Sequence, residues 1–434
     1  WTPGIGDNKN RPVMVWIHGG GFSTGSSLES PAYDGQNLAK AGDIVVVSVN
    51  HRLNVLGYLD LSAYGNEYKE SGNVGMQDIV DSLTWIKNNI SNFGGDPDNV
   101  TVFGESGGGA KILGLMTTPK AKGLFQKGIV ESGATETMGV HFNKPEFSKR
   151  VAELTLEKLN IKPAEIDKIQ TVPYDELRKA SYAALEQAGM EQGHKRPLDG
   201  KPGGSWEPVV DGTFMPSDPV LDNGFAEAGK DVSLLIGSNR TEWTNFQEIL
   251  NIENTQYSNV NTWSDAEIEA KLTEKYGNKK ETVVAEFLKA YPNKKKADAL
   301  YIDTMIRNPM RKIMTHKADQ NGAPVYAYVF TWDSPVMNGV YMTFHTAEIP
   351  FIFHNIDKAA SRIGGGEDAK RMEQYMSQAW INFARTGNPS VEGHPEWKPY
   401  TRENGNTMIF DSESRIISHH DKALLELLTP EYNY

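Results

Sequence analysis

The stretch "FGESGGGAK", residues 103–111, follows the apolar run Val100–Phe103 and leads into Ile112, Leu113 and Leu115. Three chemistries compete for it. A dinucleotide-binding turn needs glycine at its second position, so that the backbone can approach a pyrophosphate, and an acid about 20 residues further on for the ribose. That position is Ser106, and residues 121–130 offer Lys122 and Lys127 with no acid before Glu131. A phosphate-binding P-loop needs Gly-Lys-Ser/Thr at its end, whereas this chain runs Gly109-Ala110-Lys111-Ile112. Both phosphate readings fail on a residue that their mechanism requires. The third reading is Gly-x-Ser-x-Gly, a sharp turn from strand to helix that lifts the Ser106 hydroxyl above a sheet, with glycine on either side for close packing. Glycine-rich turns also follow strands for purely structural reasons, so the pentapeptide needs a partner motif.

That partner lies near the start of the chain. His18-Gly19-Gly20-Gly21-Phe22 follows the apolar run Pro12–Ile17, and a glycine run there frees backbone N–H groups to face an anion. Gly20 and Gly21, with the N–H of Gly107 after the serine, are candidate oxyanion donors. A nucleophilic serine then needs a base and an orienting acid, in the order Ser, Asp/Glu, His for this kind of turn. Beyond residue 200 the histidines are His316, His345, His354, His394, His419 and His420, and residue type alone does not choose among them.

Pro12–Ile17, Ile44–Val49, Val100–Phe103 and Ile129–Val130 read as strands of a covered sheet, and Val232–Ile236, Val325–Phe330 and Met408–Phe410 as later ones. Between the second and third, Met76, Ile79, Val80, Leu83, Ile86 and Ile90 form one helical apolar face. Alternating strand and helix predicts an α/β protein with a mostly parallel sheet flanked by helices. Residues 145–195 and 262–320, rich in Lys and Glu, read as helical insertions, and with no linker or repeat visible the whole of 1–434 reads as a single catalytic domain.

The chain carries 44 basic and 56 acidic residues, a net charge of −12 without long single-sign blocks, which argues against nucleic acid or an acidic membrane as partner. It has no cysteine, so disulfides and thiolate chemistry are excluded. Nothing at the N-terminus reads as a targeting segment; the chain opens at Trp1-Thr2-Pro3, and both a bacterial cytoplasmic and a secreted location stay open.

The sequence resembles the type-B carboxylesterase family, the cholinesterase and para-nitrobenzyl esterase branch of the α/β-hydrolases. "PVMVWIHGGGFSTG", "VSVNHRLNVLGYL", "GNVGMQDIVDSLTWIKNNISNFGGDPDNVTVFGESGGG", "WEPVVDGTFMP" and "AWINFARTGNPS" stand in family order. The resemblance implies the α/β-hydrolase fold and hydrolysis of small-molecule carboxylic esters without metal or cofactor. It makes Ser106 the nucleophile, His345 in "FHTAEIPFIF" the base and Glu242 in "GSNRTEW" the acid, with Gly20, Gly21 and Gly107 as oxyanion donors. Glu348, three residues after His345, is a rival acid read as structural. Phe22, Glu105, Trp206, Trp243 and Phe344 are candidates for the substrate pocket, while Ser132, Arg52, Asn73, Asp78 and Asp96 read as scaffold. Three positions depart from the family pattern: Gly107 replaces a usual alanine and predicts a looser turn, and Trp243 and Thr346 replace usual glycines after the acid and the base. Members of the family carry a substantial segment before the position of Trp1, which leads to the expectation that an N-terminal part of the fold is missing or supplied by a second chain. A non-catalytic adhesion module on the same fold, and a hydrolase of an unusual toxin, drug or plant phenolic ester, are the competing functions.

Overall fold

The computed structural model describes residues 1–196, 201–245 and 259–432. Its backbone divides into two compact units, one of Gly4–Ser27 with Val47–Val232, the other of Trp1–Pro3, Leu28–Val46 and Ser233–Tyr434.

In the first unit β1 (Arg11–Ile17) lies beside β3 (Gly95–Glu105), and β3 beside β4 (Lys127–Glu131), all parallel. The registers place Ile17 opposite Gly104, and Glu105 opposite Glu131, so β1, β3 and β4 end together at the quoted stretch. The β-branched runs predicted as strands are these strands and β2 (Val45–Val49), whose residues the division into units splits after Val46. Parallel strands buried on both faces read as continuous apolar runs, and β1 is buried along its whole length. Helix α1 (Val74–Asn89) buries Met76, Ile79, Val80, Leu83 and Ile86, the face that the spacing predicts. Arg52 holds Asp78 at the start of this layer with a forked pair of 2.6 and 2.9 Å, and Asn73 ties its N-terminus to Val209 and Asp211.

Helix α2 (Gly107–Leu115) begins directly after β3, and every one of its residues is buried. Its first turn has no room for side chains. A Cβ on Gly108 would sit 2.0 Å from the carbonyl oxygen of Ile17, and one on Gly107 would sit 2.3 to 2.5 Å from the backbone of Gly21. The turn predicted to be looser for want of an alanine at 107 is therefore tighter: the missing methyl group is replaced by the backbone of the Gly19–Gly21 loop. Beyond β4, α3 (Pro145–Lys158) packs on α4 (Tyr174–Glu191), which is the first predicted helical insertion.

In the second unit β5 (Ser233–Asn239), β6 (Val325–Phe330) and β7 (Asn406–Phe410) run parallel, with Leu234 opposite Val325 and Ala327 opposite Thr407. An antiparallel strand β8 (Arg415–Ser418), absent from the sequence reading, pairs with β7; its short, half-exposed run carries only two apolar residues. The second predicted insertion is α5 (Asp265–Tyr276), α6 (Lys280–Ala290) and α7 (Arg307–Asp319). Helix α8 (Glu367–Thr386) buries Met372, Tyr375, Met376, Ala379, Trp380 and Phe383 at three- and four-residue spacing. Among the described residues no helix is long and apolar enough to cross a membrane.

Because the atom facing Gly108 is main chain, no rotamer change can relieve a side chain there. Gly108→Ala is expected to lower stability by about 1–3 kcal/mol, the usual cost of overpacking, read as a fall in the urea midpoint at unchanged slope.

Candidate active site

The residues singled out in the sequence fall into two groups, one in each unit. In the first, Ser106 sits between β3 and α2 at φ 53° and ψ −125°. A non-glycine residue held at positive φ stores strain that its surroundings must maintain. Here they do so from both sides: the Ser106 N–H donates to Glu131 O at 2.8 Å, and its carbonyl accepts from Ala110 N at 3.1 Å. The Ser106 side chain is half-buried rather than sealed in the core. Gly107 is the first residue of α2, where an N–H has no acceptor within its own helix.

The loop after β1 faces this turn. Gly20 and Gly21 adopt φ values of 80° and 59°, which glycine takes without steric cost. Each carbonyl from His18 to Gly21 is held by the protein. Gly19 O lies 3.0 Å from the His18 Nδ1, Gly20 O accepts from Thr24 N at 3.1 Å, and His18 O and Gly21 O accept from the Lys111 ammonium at 3.1 and 2.7 Å. A trans peptide points its C=O and N–H in opposite directions, so fixing Gly19 O and Gly20 O turns the N–H groups of Gly20 and Gly21 away from the scaffold. Among the described residues neither of these two amides donates to a protein acceptor. A carbonyl only accepts, so His18 Nδ1 carries the proton. Burial, helped by the charge of Lys111, pushes the His18 pKa down to about 4, which keeps the ring neutral in that tautomer.

In the second unit Glu242 and His345 meet. Glu242 is fully buried just past the end of β5, its Oε2 lies 2.7 Å from His345 Nδ1, and its Oε1 accepts the Asn239 N–H at 2.7 Å. The His345 N–H donates to the carbonyl of Glu242 at 2.8 Å, so backbone and side chain fix the same pair. With Nδ1 donating to the Glu242 carboxyl group, Nε2 of a neutral imidazole is left without a proton, as an acceptor. Glu348 does not take this place: it accepts from Asn239 Nδ2 at 2.6 Å, and of the two acids only Glu242 touches the ring within hydrogen-bond distance.

The glycine replacements are accommodated in different ways. Trp243 lies over the imidazole of His345, ring centroids 5.5 Å apart at 24°, and its indole N–H donates to Asp303 at 2.9 Å. Thr346 takes φ 76° in the place of the usual glycine, a strained conformation for a β-branched residue. Asp303, which also caps α7 through the amides of Ile306 and Arg307, went unread in the sequence, as did Asn239, while Lys111 was weighed there only as a P-loop lysine. An acid at Asp303 has no motif around it; the signal for Lys111 was a lone cation within the apolar run that follows the glycines.

The remaining pocket candidates are packed side chains. Phe22 is buried edge-on against Tyr58 and Phe142, and Trp206 against Tyr182; Phe344 is buried against a tilted Tyr341 ring, while Glu105 is buried beside Gly19. Ser132 follows β4 at φ 47°.

The model of the carboxylesterase family matches residues 1–426. The chain belongs to the carboxylesterase family. Among its relatives, this carboxylesterase is 36% identical to the para-nitrobenzyl esterase of Bacillus subtilis (strain 168) over 428 residues, covering 98% of this chain and 80% of that one. It is 29% identical to the fumonisin B1 esterase of Sphingopyxis macrogoltabida, covering 95% and 72%. Among solved structures, an esterase of the anaerobe Clostridium hathewayi that can hydrolyse aliphatic aromatic polyesters superposes with a TM-score of 0.87 at 36% identity, over 99% of this chain and 81% of that one. The fold is that of the α/β-hydrolases, and the carboxylesterase is a hydrolase of carboxylic esters with small-molecule ester substrates.

Two further carboxyls surround Glu242. Burial first, then the charge of Glu242, pushes Glu348 and Asp303 each up to about 7. A carboxyl whose folded pKa lies above its unfolded value near 4 binds a proton preferentially in the folded state, so its contribution to stability is complete below about pH 4 and is lost as pH rises towards 7. Measured against Glu348→Gln, which keeps an acceptor for Asn239, the urea midpoint of the parent is therefore expected to lose ground as pH rises from 5 to 7.5.

Proposed function

We propose that Ser106, His345 and Glu242 form the catalytic triad of this esterase, with the N–H groups of Gly20, Gly21 and Gly107 as its oxyanion hole. The observation that carries the assignment is the strained Ser106 turn at φ 53°, set between a parallel strand and a helix N-terminus. The 2.7 Å Glu242–His345 contact supports it from the other unit. In this reading Ser106 Oγ attacks the ester carbonyl as His345 Nε2 takes its proton, and negative charge moves onto the carbonyl oxygen, where the three amides receive it. Collapse of the tetrahedral adduct breaks the bond to the alcohol, which leaves with the proton from His345. Water, deprotonated by the same nitrogen, then releases the acid from Ser106. Glu242 holds the ring with Nε2 free and stabilises the imidazolium; Trp243, lying over the ring, limits its rotation and offers a π-face to that cation.

For the substrate we infer small to medium acyl groups and esters with an aromatic part. The names of the relatives support this class, and the aromatic residues Phe22, Trp206, Trp243 and Phe344 remain the candidates for its recognition.

A fluorophosphonate probe followed by intact mass and peptide mapping tests the nucleophile without a choice of substrate. One adduct on Ser106 is expected, and none in His345→Ala. Ser106→Ala should lose at least about a thousandfold in kcat on a para-nitrophenyl ester, and Glu242→Gln about 10⁴-fold through the wrong imidazole tautomer. Hydrolysis persisting in Ser106→Ala would overturn the assignment.

A further inference from the structure

Lys111 is one of the largest fully buried side chains in the protein, at 0% exposure. A lysine there has a cost. Its ammonium must leave water, and a methionine or leucine would fill similar volume without that penalty. What the lysine supplies is a pair of charge-assisted bonds, 3.1 Å to His18 O and 2.7 Å to Gly21 O. These two carbonyls belong to the peptides on either side of the pair whose N–H groups face away from the scaffold. His18 and Thr24 aim the inner two peptides, and Lys111 fixes the outer two. The same ammonium lies 5.4 Å from the ring centre of Phe22, the first residue after the loop. Its side chain springs from α2, the helix whose first residue is Gly107, so one cation ties the loop donors to the element that carries the third donor.

We propose that Lys111 is a positioning residue of the oxyanion hole: it locks both ends of the Gly19–Gly21 segment, and its buried positive charge adds to the field that the developing oxyanion meets. The proposal rests on the oxyanion assignment above. Preorganised donors stabilise the transition state more than the bound ester. Loss of Lys111 should therefore fall on kcat, with KM little changed, and should weaken an inhibitor that mimics the tetrahedral adduct by the same factor.

The test compares the parent with Lys111→Met and Lys111→Gln, measuring kcat and KM for a para-nitrophenyl ester, the inhibition constant of a trifluoromethyl ketone, and Tm. Lys111→Met is expected to lose about 10- to 100-fold in kcat/KM, somewhat less than deleting a donor outright, with the inhibition constant rising in parallel. Lys111→Gln keeps N–H donation without charge and serves if the methionine variant does not fold; at least a fivefold parallel loss is expected there. A folded variant with kcat/KM and inhibition within twofold of the parent would overturn the proposal, as would a fall in kcat/KM without the parallel loss of inhibitor. Ser106→Ala, run alongside, separates the two claims: if it still hydrolyses ester, the site assignment fails whatever Lys111 does.

Discussion

The first turn of α2 has to be bare backbone. Gly108 lies against the end of β1, Gly107 against the loop that follows β1, and neither contact leaves space for one carbon atom. Because β1, β3 and β4 end in register, this packing brings three chain segments to one point at main-chain distance, which side chains would hold apart. The strain at Ser106 follows from the same geometry. A strand that must turn into a helix within one residue, under a helix that cannot retreat, forces that residue to positive φ. Ser106 is thus held by interlocking backbone rather than by its own side-chain contacts. Among the described residues its hydroxyl bonds to no scaffold group, while its peptide groups are bound on both sides.

Around His345 the controlling physics is electrostatic. Three buried carboxyl groups, Glu242, Asp303 and Glu348, lie in one neighbourhood, and burial makes it costly for all three to ionise together. Their environments separate them. Glu242 takes the His345 ring and the Asn239 amide on its two oxygens, whereas Glu348 and Asp303 are pushed towards the protonated form. Glu348 shares Asn239 with Glu242, and Asp303 anchors Trp243. This division of roles explains why the rival acid at Glu348, three residues from the histidine, is present yet does not take Glu242's place.

Much of this was legible in the chain because close packing and periodicity leave composition signals. The β-branched runs became β1–β4 and β5–β7, and the apolar face of α1 matched residue for residue; Ile90 alone falls just past the helix, still buried. Glycine at 104 and 108 also carried its meaning openly. The edge strand β8 was hidden because three half-exposed residues and one exposed one, with two isoleucines, give no alternation to count. Asp303 and Asn239 were hidden for another reason: their roles come from neighbours distant in sequence, and no local pattern marks a carboxyl that will be buried beside another. The error at Gly107 is instructive. A smaller residue was read as slack, whereas removing a methyl group at an interface between backbones lets them close.

The same logic covers the replacement of a small residue by a large one at Trp243. A glycine after the acid would leave one face of the His345 ring to be covered from elsewhere; here the indole covers it, and its N–H satisfies Asp303, a buried carboxyl that would otherwise lack that donor. The indole and Asp303 therefore stand or fall together. Tryptophan needs an acceptor at depth, and Asp303, whose Oδ2 accepts the Ile306 and Arg307 amides, is held so that its Oδ1 meets both the Met305 amide and the indole. Position 243 shows that the glycine usual there is one solution to packing beside a buried acid paired with a histidine, and that a ring bonded at its far edge is another.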